Sequence, residues 1–204
     1  MIVLWNWSKC VMTSNIAVVG TSWIERTPEV QKPWPELLGL KNVWGHSGVT
    51  IDAQCEYILD NYKPDMNIIW NLTHWNQSDP RGDGTYIFPY DWGPLDKWGK
   101  LTRELWFKKF TTSKWLKKTS AMWVKAVIET VGESNLLIYP IYRPSLFEHQ
   151  WLEYDCIRDF HLGDIRKKHG DGRGHCNQEG HVVIATQIAS DVLAEWFEQL
   201  DVKL

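Results

Sequence analysis

The chain alternates short, wholly apolar runs with longer amphipathic ones. Ile16-Ala17-Val18-Val19 is a continuous apolar run that stops at Gly20-Thr21-Ser22, which reads as a buried parallel strand ending in a tight turn. Asn42-Val43-Trp44-Gly45 predicts a second short strand. Ser47-Gly48-Val49-Thr50 then leads into a helix with Thr50 as N-cap and Ile51, Cys55, Ile58 and Leu59 on its buried face. Pro64 closes that helix. Met66 to Leu72 reads as a third strand and Asn135-Leu136-Leu137-Ile138-Tyr139 as a fourth. The last helix has the sharpest period, with Ile184, Ala185, Ile188, Ala189, Val192, Leu193 and Trp196 on one face. No fifth strand is evident between Tyr142 and Gly170.

Strand and helix alternation with buried apolar strands predicts an α/β fold with a central parallel sheet. At 204 residues the chain fits one domain. The stretch at about 76–119, which holds Pro80-Arg81-Gly82-Asp83-Gly84 and Asp91-Trp92-Gly93-Pro94, is too long for a plain connection and reads as an insertion. An apolar fraction of 44% with 23% charged residues suits a soluble globular body and suggests no membrane span. A net charge of −3 supplies no field to hold phosphate backbones, so nucleic acid is not an expected partner.

The 14 Trp are spread from Trp5 to Trp196 and belong mostly to the core, although a few lining a cleft would suit stacking on sugar rings. Cys10, Cys55, Cys156 and Cys176 form no C-x-x-C pair, so buried thiols are expected and neither a metal site nor a redox motif is signalled. The opening MIVLWNWSKC has too short an apolar run for a signal peptide, which makes a cytoplasmic chain the default, with a viral particle as the other setting. Residues 1–11 read either as an upstream extension or as an extra strand.

Two places carry chemistry. In a parallel sheet, sites form beyond the carboxyl ends of the strands, and Ser22 follows the first strand directly. Gly20 allows a sharp turn there, and a helix after it would aim free N–H groups at a developing oxyanion. Taken alone, Ser22 reads first as a cap for the next segment. The second place is the turn-rich Asp171-Gly172-Arg173-Gly174-His175-Cys176-Asn177-Gln178-Glu179-Gly180-His181, which runs into the final helix. A serine nucleophile needs a neutral imidazole to take its proton and a carboxylate to orient that imidazole, and His175 and Asp171 are of those types. Singly, Asp171 reads as a turn residue and His175 as a surface histidine.

From Ile16 to Leu193 these blocks, in this order, resemble the SGNH (GDSL-like) hydrolases. Gly20-Thr21-Ser22 resembles the first block, with Thr21 where the family commonly has Asp and Ser22 at the nucleophile. Gly45-His46-Ser47-Gly48 resembles the second, with Gly45 matching the glycine whose N–H enters the oxyanion hole. Pro64-Asp65 before an apolar strand resembles the lead-in to the third, but Leu72-Thr73-His74 stands where the family has Gly-x-Asn. The side-chain oxyanion donor is therefore open between Asn71, His74 and Asn76. His175-Cys176-Asn177 resembles the last block, with Cys176 where proline is frequent. The family's carboxylate position, three residues before the histidine, holds Gly172; Asp171 is one residue further back, and Asp164 is the fallback. His46, His149, His161, His169 and His181 take no role.

The resemblance implies a flavodoxin-like three-layer α/β/α sandwich and a serine esterase with Ser22, His175 and Asp171 as catalytic residues and the N–H groups of Ser22 and Gly45 in the oxyanion hole. It needs neither cofactor nor metal. Many members of the family deacetylate carbohydrates, so the expected substrate is a small-molecule or saccharide ester, with acetyl as the acyl group. Arg103, Lys108, Lys109, Lys114, Lys117 and Lys118 interleave with Trp106, Phe107, Phe110, Trp115 and Trp123. They read first as an amphipathic helix with a solvated basic side, then as a lid or a face for an acidic saccharide, and last as a nucleic-acid platform. The departures at Thr21, Leu72-Thr73-His74 and Gly172 motivate the alternative of an inactive carbohydrate-binding or structural protein of a surface or viral assembly. A monomer or small homo-oligomer is expected.

Overall fold

The computed structural model describes residues 15–45, 49–73, 113–141, 154–170 and 175–197. Among the described residues four strands form one sheet: β1 (Ile16–Gly20), β2 (Asn42–Gly45), β3 (Asn67–Leu72) and β4 (Leu136–Pro140), in the order β2-β1-β3-β4. All pairings are parallel, with Val18 opposite Val43 on one side and Ile69 on the other, and Ile69 opposite Leu137. The helices are α1 (Trp34–Leu37), α2 (Ile51–Asn61), α3 (Ser113–Val131), α4 (Leu162–His169) and α5 (Gln178–Val192). The α/β class with a central parallel sheet is thus what the chain adopts.

β1, β3 and β4 bury both faces because alternate side chains feed two cores, whereas β2, at the edge of the sheet, leaves Asn42 and Val43 exposed. Ile16, Val18, Ile69, Leu137 and Tyr139 pack against α1 and α5 through Trp34, Ile184, Ile188 and Val192. Ala17, Val19, Ile68, Trp70, Leu136 and Ile138 pack against α2 and α3 through Cys55, Ile58, Val127 and Ile128. Burying a large aliphatic side chain stabilises by about 1.5–3 kcal/mol, so the fully buried Ile184, Ile188 and Val192 dock α5 firmly. That docking matters because α5 follows His175.

Several element ends differ from the expected ones. The fourth strand starts at Leu136, because Asn135 closes a 3-10 turn over Glu133–Asn135 and its amide bonds to Val131 O and the Tyr62 hydroxyl, both at 3.2 Å. Leu193 and Trp196 lie beyond α5 in a π-helical turn, Leu193–Phe197, where the Trp196 indole donates to Ser134 O at 2.9 Å. Although no fifth strand is legible, Ile157 makes one parallel bridge to Ile138, using Ile138 N–H to Cys156 O at 2.8 Å and Arg158 N–H to Ile138 O at 2.9 Å. Thr50 caps α2 as expected, accepting from Ala53 N–H at 3.3 Å. Leu59 is half-buried, and Gln54 joins Ile51, Cys55 and Ile58 on the buried face. The insertion of 76–119 lies outside the described residues up to residue 112, as do the basic and aromatic positions 103–110 within it. Lys118, on α3, is exposed and Trp123 packs on the second core. Residues 1–11 are also outside the described residues.

Of the cysteines, Cys55, Cys156 and Cys176 are buried, and Cys10 is outside the described residues. Trp23, Trp34 and Trp70 are core residues, while Trp44 is half-buried and stacks on Tyr57 with ring centroids 4.1 Å apart. Among the described residues no helix is long and apolar enough to cross a membrane.

Candidate active site at the carboxyl edge of the sheet

The connection from β1 places β2 on one side of it, and β3 lies on the other. Successive connections therefore diverge at the carboxyl ends of β1 and β3, the place where parallel α/β sheets form their binding crevices. The strands reach this edge through two glycines paired across β1 and β2, Gly20 and Gly45. Gly45 has φ 135°, and a Cβ on it would stand 2.0 Å from Gly20 O. A Cβ on Gly20 would meet Ile24 Cγ2 at 2.7 Å and Asn71 Cβ at 3.2 Å. Neither position admits a side chain without movement, and at Gly45 the opposing atom is backbone.

Past Gly20 the helix expected there is a single 3-10 turn, Ser22–Ile24. Glu25 is already extended, and Thr27 and Val30 exchange main-chain hydrogen bonds of 3.3 and 3.0 Å around Pro28 and Glu29, which turns the chain away. Ser22 is not the cap of the turn; Thr21 holds that position without a side-chain bond. As first residue of the turn, Ser22 has no partner within it for its own N–H. Arg26, just after the turn, is held to Glu36 of α1 by two bonds of 2.7 and 2.6 Å.

His175 arrives from the other end of the chain, and the residues that follow it are anchored. Its neighbour Cys176 bridges Gly170 at the end of α4, and Asn177 N–H donates to His169 O at 2.7 Å. Asn177 caps α5, its Oδ1 accepting from Gly180 N–H at 3.0 Å. Gly180 is required by closeness, since a Cβ there would stand 2.6 Å from Cys176 Cβ. The first turn of α5 is tied to the segment after the serine turn. The Gln178 amide accepts from Lys32 N–H at 3.0 Å and donates to Lys32 O at 2.9 Å, while Trp34 N–H donates to Nδ1 of the buried His181 at 3.2 Å. Within this frame His175 Nε2 is 2.8 Å from Ser22 Oγ. The imidazole also meets the buried Trp23 ring edge-on, with centroids 6.1 Å apart.

The chain matches no family model, no curated protein and no solved structure.

The remaining residues singled out from the sequence fall as follows. Asn71, at the end of β3, is buried; its amide donates to Tyr139 O at 3.3 Å, and its Oδ1 has no partner among the described residues. His74, Asn76 and Asp171 lie outside the described residues. Asp164 is in the first turn of α4, with Lys167 Nζ at 2.6 Å from its carboxylate. His161 is buried, with Nε2 3.0 Å from Asp159 Oδ1, and His169 Nδ1 is 3.5 Å from Glu179 Oε2. His46 and His149 are outside the described residues. Among the described residues no group of three or more His, Cys, Asp or Glu could hold a metal ion.

Gln54 is a further residue of this region, not among those singled out from the sequence. Its spacing held a signal: Ile51, Gln54, Cys55 and Ile58 follow the i, i+3, i+4, i+7 stripe of a buried helix face, so the stripe contains one amide. A fully buried amide needs partners. Gln54 Nε2 donates to Asn71 O at 3.1 Å, and Oε1 accepts from Trp70 Nε1 at 3.0 Å and from Thr73 N–H at 3.4 Å.

Proposed function

We propose that this chain is a serine ester hydrolase of the SGNH type, removing a small acyl group such as acetyl from a carbohydrate or a similar ester. The observation that carries the reading is the 2.8 Å approach of His175 Nε2 to Ser22 Oγ at the carboxyl edge of the sheet. That distance lies within hydrogen-bond reach, the geometry a general base needs in order to take a serine proton. The strand order β2-β1-β3-β4, with helices on both faces, is the beginning of the flavodoxin-like order 2-1-3-4-5 and supports the sandwich of that family.

In this reading His175 accepts the Ser22 proton as Oγ attacks the ester carbonyl. The imidazolium then returns the proton to the leaving alkoxide, and a water molecule activated by the same imidazole releases the acyl group from Ser22. The N–H groups of Ser22 and Gly45 receive the oxyanion, with a side-chain donor from Asn71, His74 or Asn76. Loss of one such donor costs about 3 kcal/mol in the transition state. Asp171 orients the imidazole. Neither a metal nor a cofactor takes part.

The test is fluorophosphonate labelling followed by intact mass and peptide mapping, on the native chain and on Ser22→Ala. One adduct on Ser22 that vanishes in the variant is the expected result. A folded chain with no adduct would overturn the hydrolase reading and favour the carbohydrate-binding or structural alternative.

A further inference from the structure

We infer that Gln54 is a positioning residue for the oxyanion side of the site, its carboxamide standing in for the main-chain N–H and C=O that a further residue of the β1 strand would present to β3; the inference rests on the ester-hydrolase reading. β1 pairs with β3 only as far as Val19 opposite Trp70, then leaves at Gly20 to form the turn that carries Ser22. β3 runs on to Leu72 and keeps its β4 partner to the end, Leu72 O accepting from Ile141 N–H at 3.1 Å. Main-chain groups of a strand alternate between its two neighbours, so Asn71 O and Thr73 N–H belong to the side that β1 has vacated. Buried main-chain groups there need new partners.

Gln54 supplies them. A residue of a parallel neighbour donates its N–H to one carbonyl of β3 and accepts, on its own carbonyl, from the N–H two residues further along. The Gln54 amide makes this pair of bonds, Nε2 to Asn71 O at 3.1 Å and Oε1 from Thr73 N–H at 3.4 Å. Its carbonyl is fixed from the side by the Trp70 indole at 3.0 Å. Gln54 is fully buried on a stripe otherwise made of Ile51, Cys55 and Ile58, where an apolar residue of similar length would pack equally well. The amide thus lets the nucleophile strand peel away while the end of β3 holds its course. It also joins α2, which follows Gly45 in the chain, to the segment that contains Asn71 and leads to His74. Both oxyanion-bearing stretches are referenced to one side chain.

The experiment compares the native chain with Gln54→Met, which keeps length and loses every hydrogen bond, and with Gln54→Glu, which keeps the acceptor. p-Nitrophenyl acetate serves as substrate, and exchange of the Thr73 amide and the Trp70 indole proton is followed by NMR. In Gln54→Met, kcat falls at least about tenfold while KM stays within about twofold, and the pH midpoint of kcat/KM does not move, because the Ser22–His175 pair is untouched. Exchange at Thr73 and Trp70 accelerates. Gln54→Glu loses less of kcat than Gln54→Met, and it takes over the test if the methionine variant does not fold. Unchanged kcat with accelerated exchange overturns the positioning role, and unchanged exchange overturns the tie itself. A native chain that neither turns over the ester nor labels at Ser22 overturns the hydrolase reading instead, and the tie is then judged on exchange alone.

Discussion

His175 Nε2 and Ser22 Oγ lie 2.8 Å apart although 153 positions separate them in the chain. On the proposed ester-hydrolase reading the two are nucleophile and base of one unit, so their effects do not add. Ser22→Ala and His175→Ala should each lower kcat/KM for an acetyl ester by at least about a thousandfold, and the double variant should be no worse than the weaker single one. Steady-state kinetics on the three proteins checks this. Additive losses would mean that the two side chains act independently.

Gly45 meets Gly20 more closely than any side chain permits, with φ 135° and a Cβ position 2.0 Å from Gly20 O. Gly45→Ala should therefore destabilise by about 3 kcal/mol or more, read as a lower urea midpoint. Gly20→Ala is a milder case, because the nearest atom, Ile24 Cγ2 at 2.7 Å, belongs to a side chain. The second change Ile24→Ala should recover part of the activity lost in Gly20→Ala, whereas nothing comparable should rescue Gly45→Ala. Equal stability losses at the two glycines would contradict this assignment.

The frame of the fold was legible because buried parallel strands must be apolar on both faces, which makes Ile16–Val19, Ile68–Trp70 and Leu136–Tyr139 continuous apolar runs. What was not legible was where side-chain chemistry overrides periodicity. Asn135 ends one turn with its own amide, Trp196 follows a π-helical turn to reach Ser134 O, and Ile157 touches the sheet with a single bridge. Ser22 and His175 could be named from the turn residues around them, but their separation follows from tertiary ties that no local pattern encodes. Gln178 to Lys32 and His181 to Trp34 are such ties, 146 and 147 residues apart in sequence.

The Gln178 tie gives a test of how the imidazole is held. Both amide atoms bond Lys32, at 3.0 and 2.9 Å, on the exposed side of the α5 start, while Asn177 caps the helix independently. Gln178→Leu should cost only about 1 kcal/mol of stability. It should nevertheless lower kcat/KM severalfold and speed amide exchange in the residues just before α5. Faster exchange without a kinetic effect would leave the tie structural.

Burial supplies the pH dependence. The Cys156 thiol is pushed from 9.0 to about 12, first by burial and then by the Glu133 charge. Cys55 is raised well above 9.0, again mainly by burial, and Tyr139 well above 10.0 by burial and by Asp191, whose carboxylate accepts its hydroxyl at 2.7 Å. In the unfolded chain these groups lose protons at their ordinary values, while the folded chain keeps them. The folded state binds more protons there, so stability is complete below about pH 9 and falls as pH rises toward 12. The loss should reach on the order of a few kcal/mol by pH 12, seen as a falling urea midpoint between pH 8 and 11. Iodoacetamide at pH 8.5 should leave Cys55, Cys156 and Cys176 unmodified in the native chain and alkylate all three in urea, as peptide mapping would show. Rapid native alkylation of Cys156 would contradict its burial, and a flat urea midpoint through pH 11 would contradict the raised pKa values.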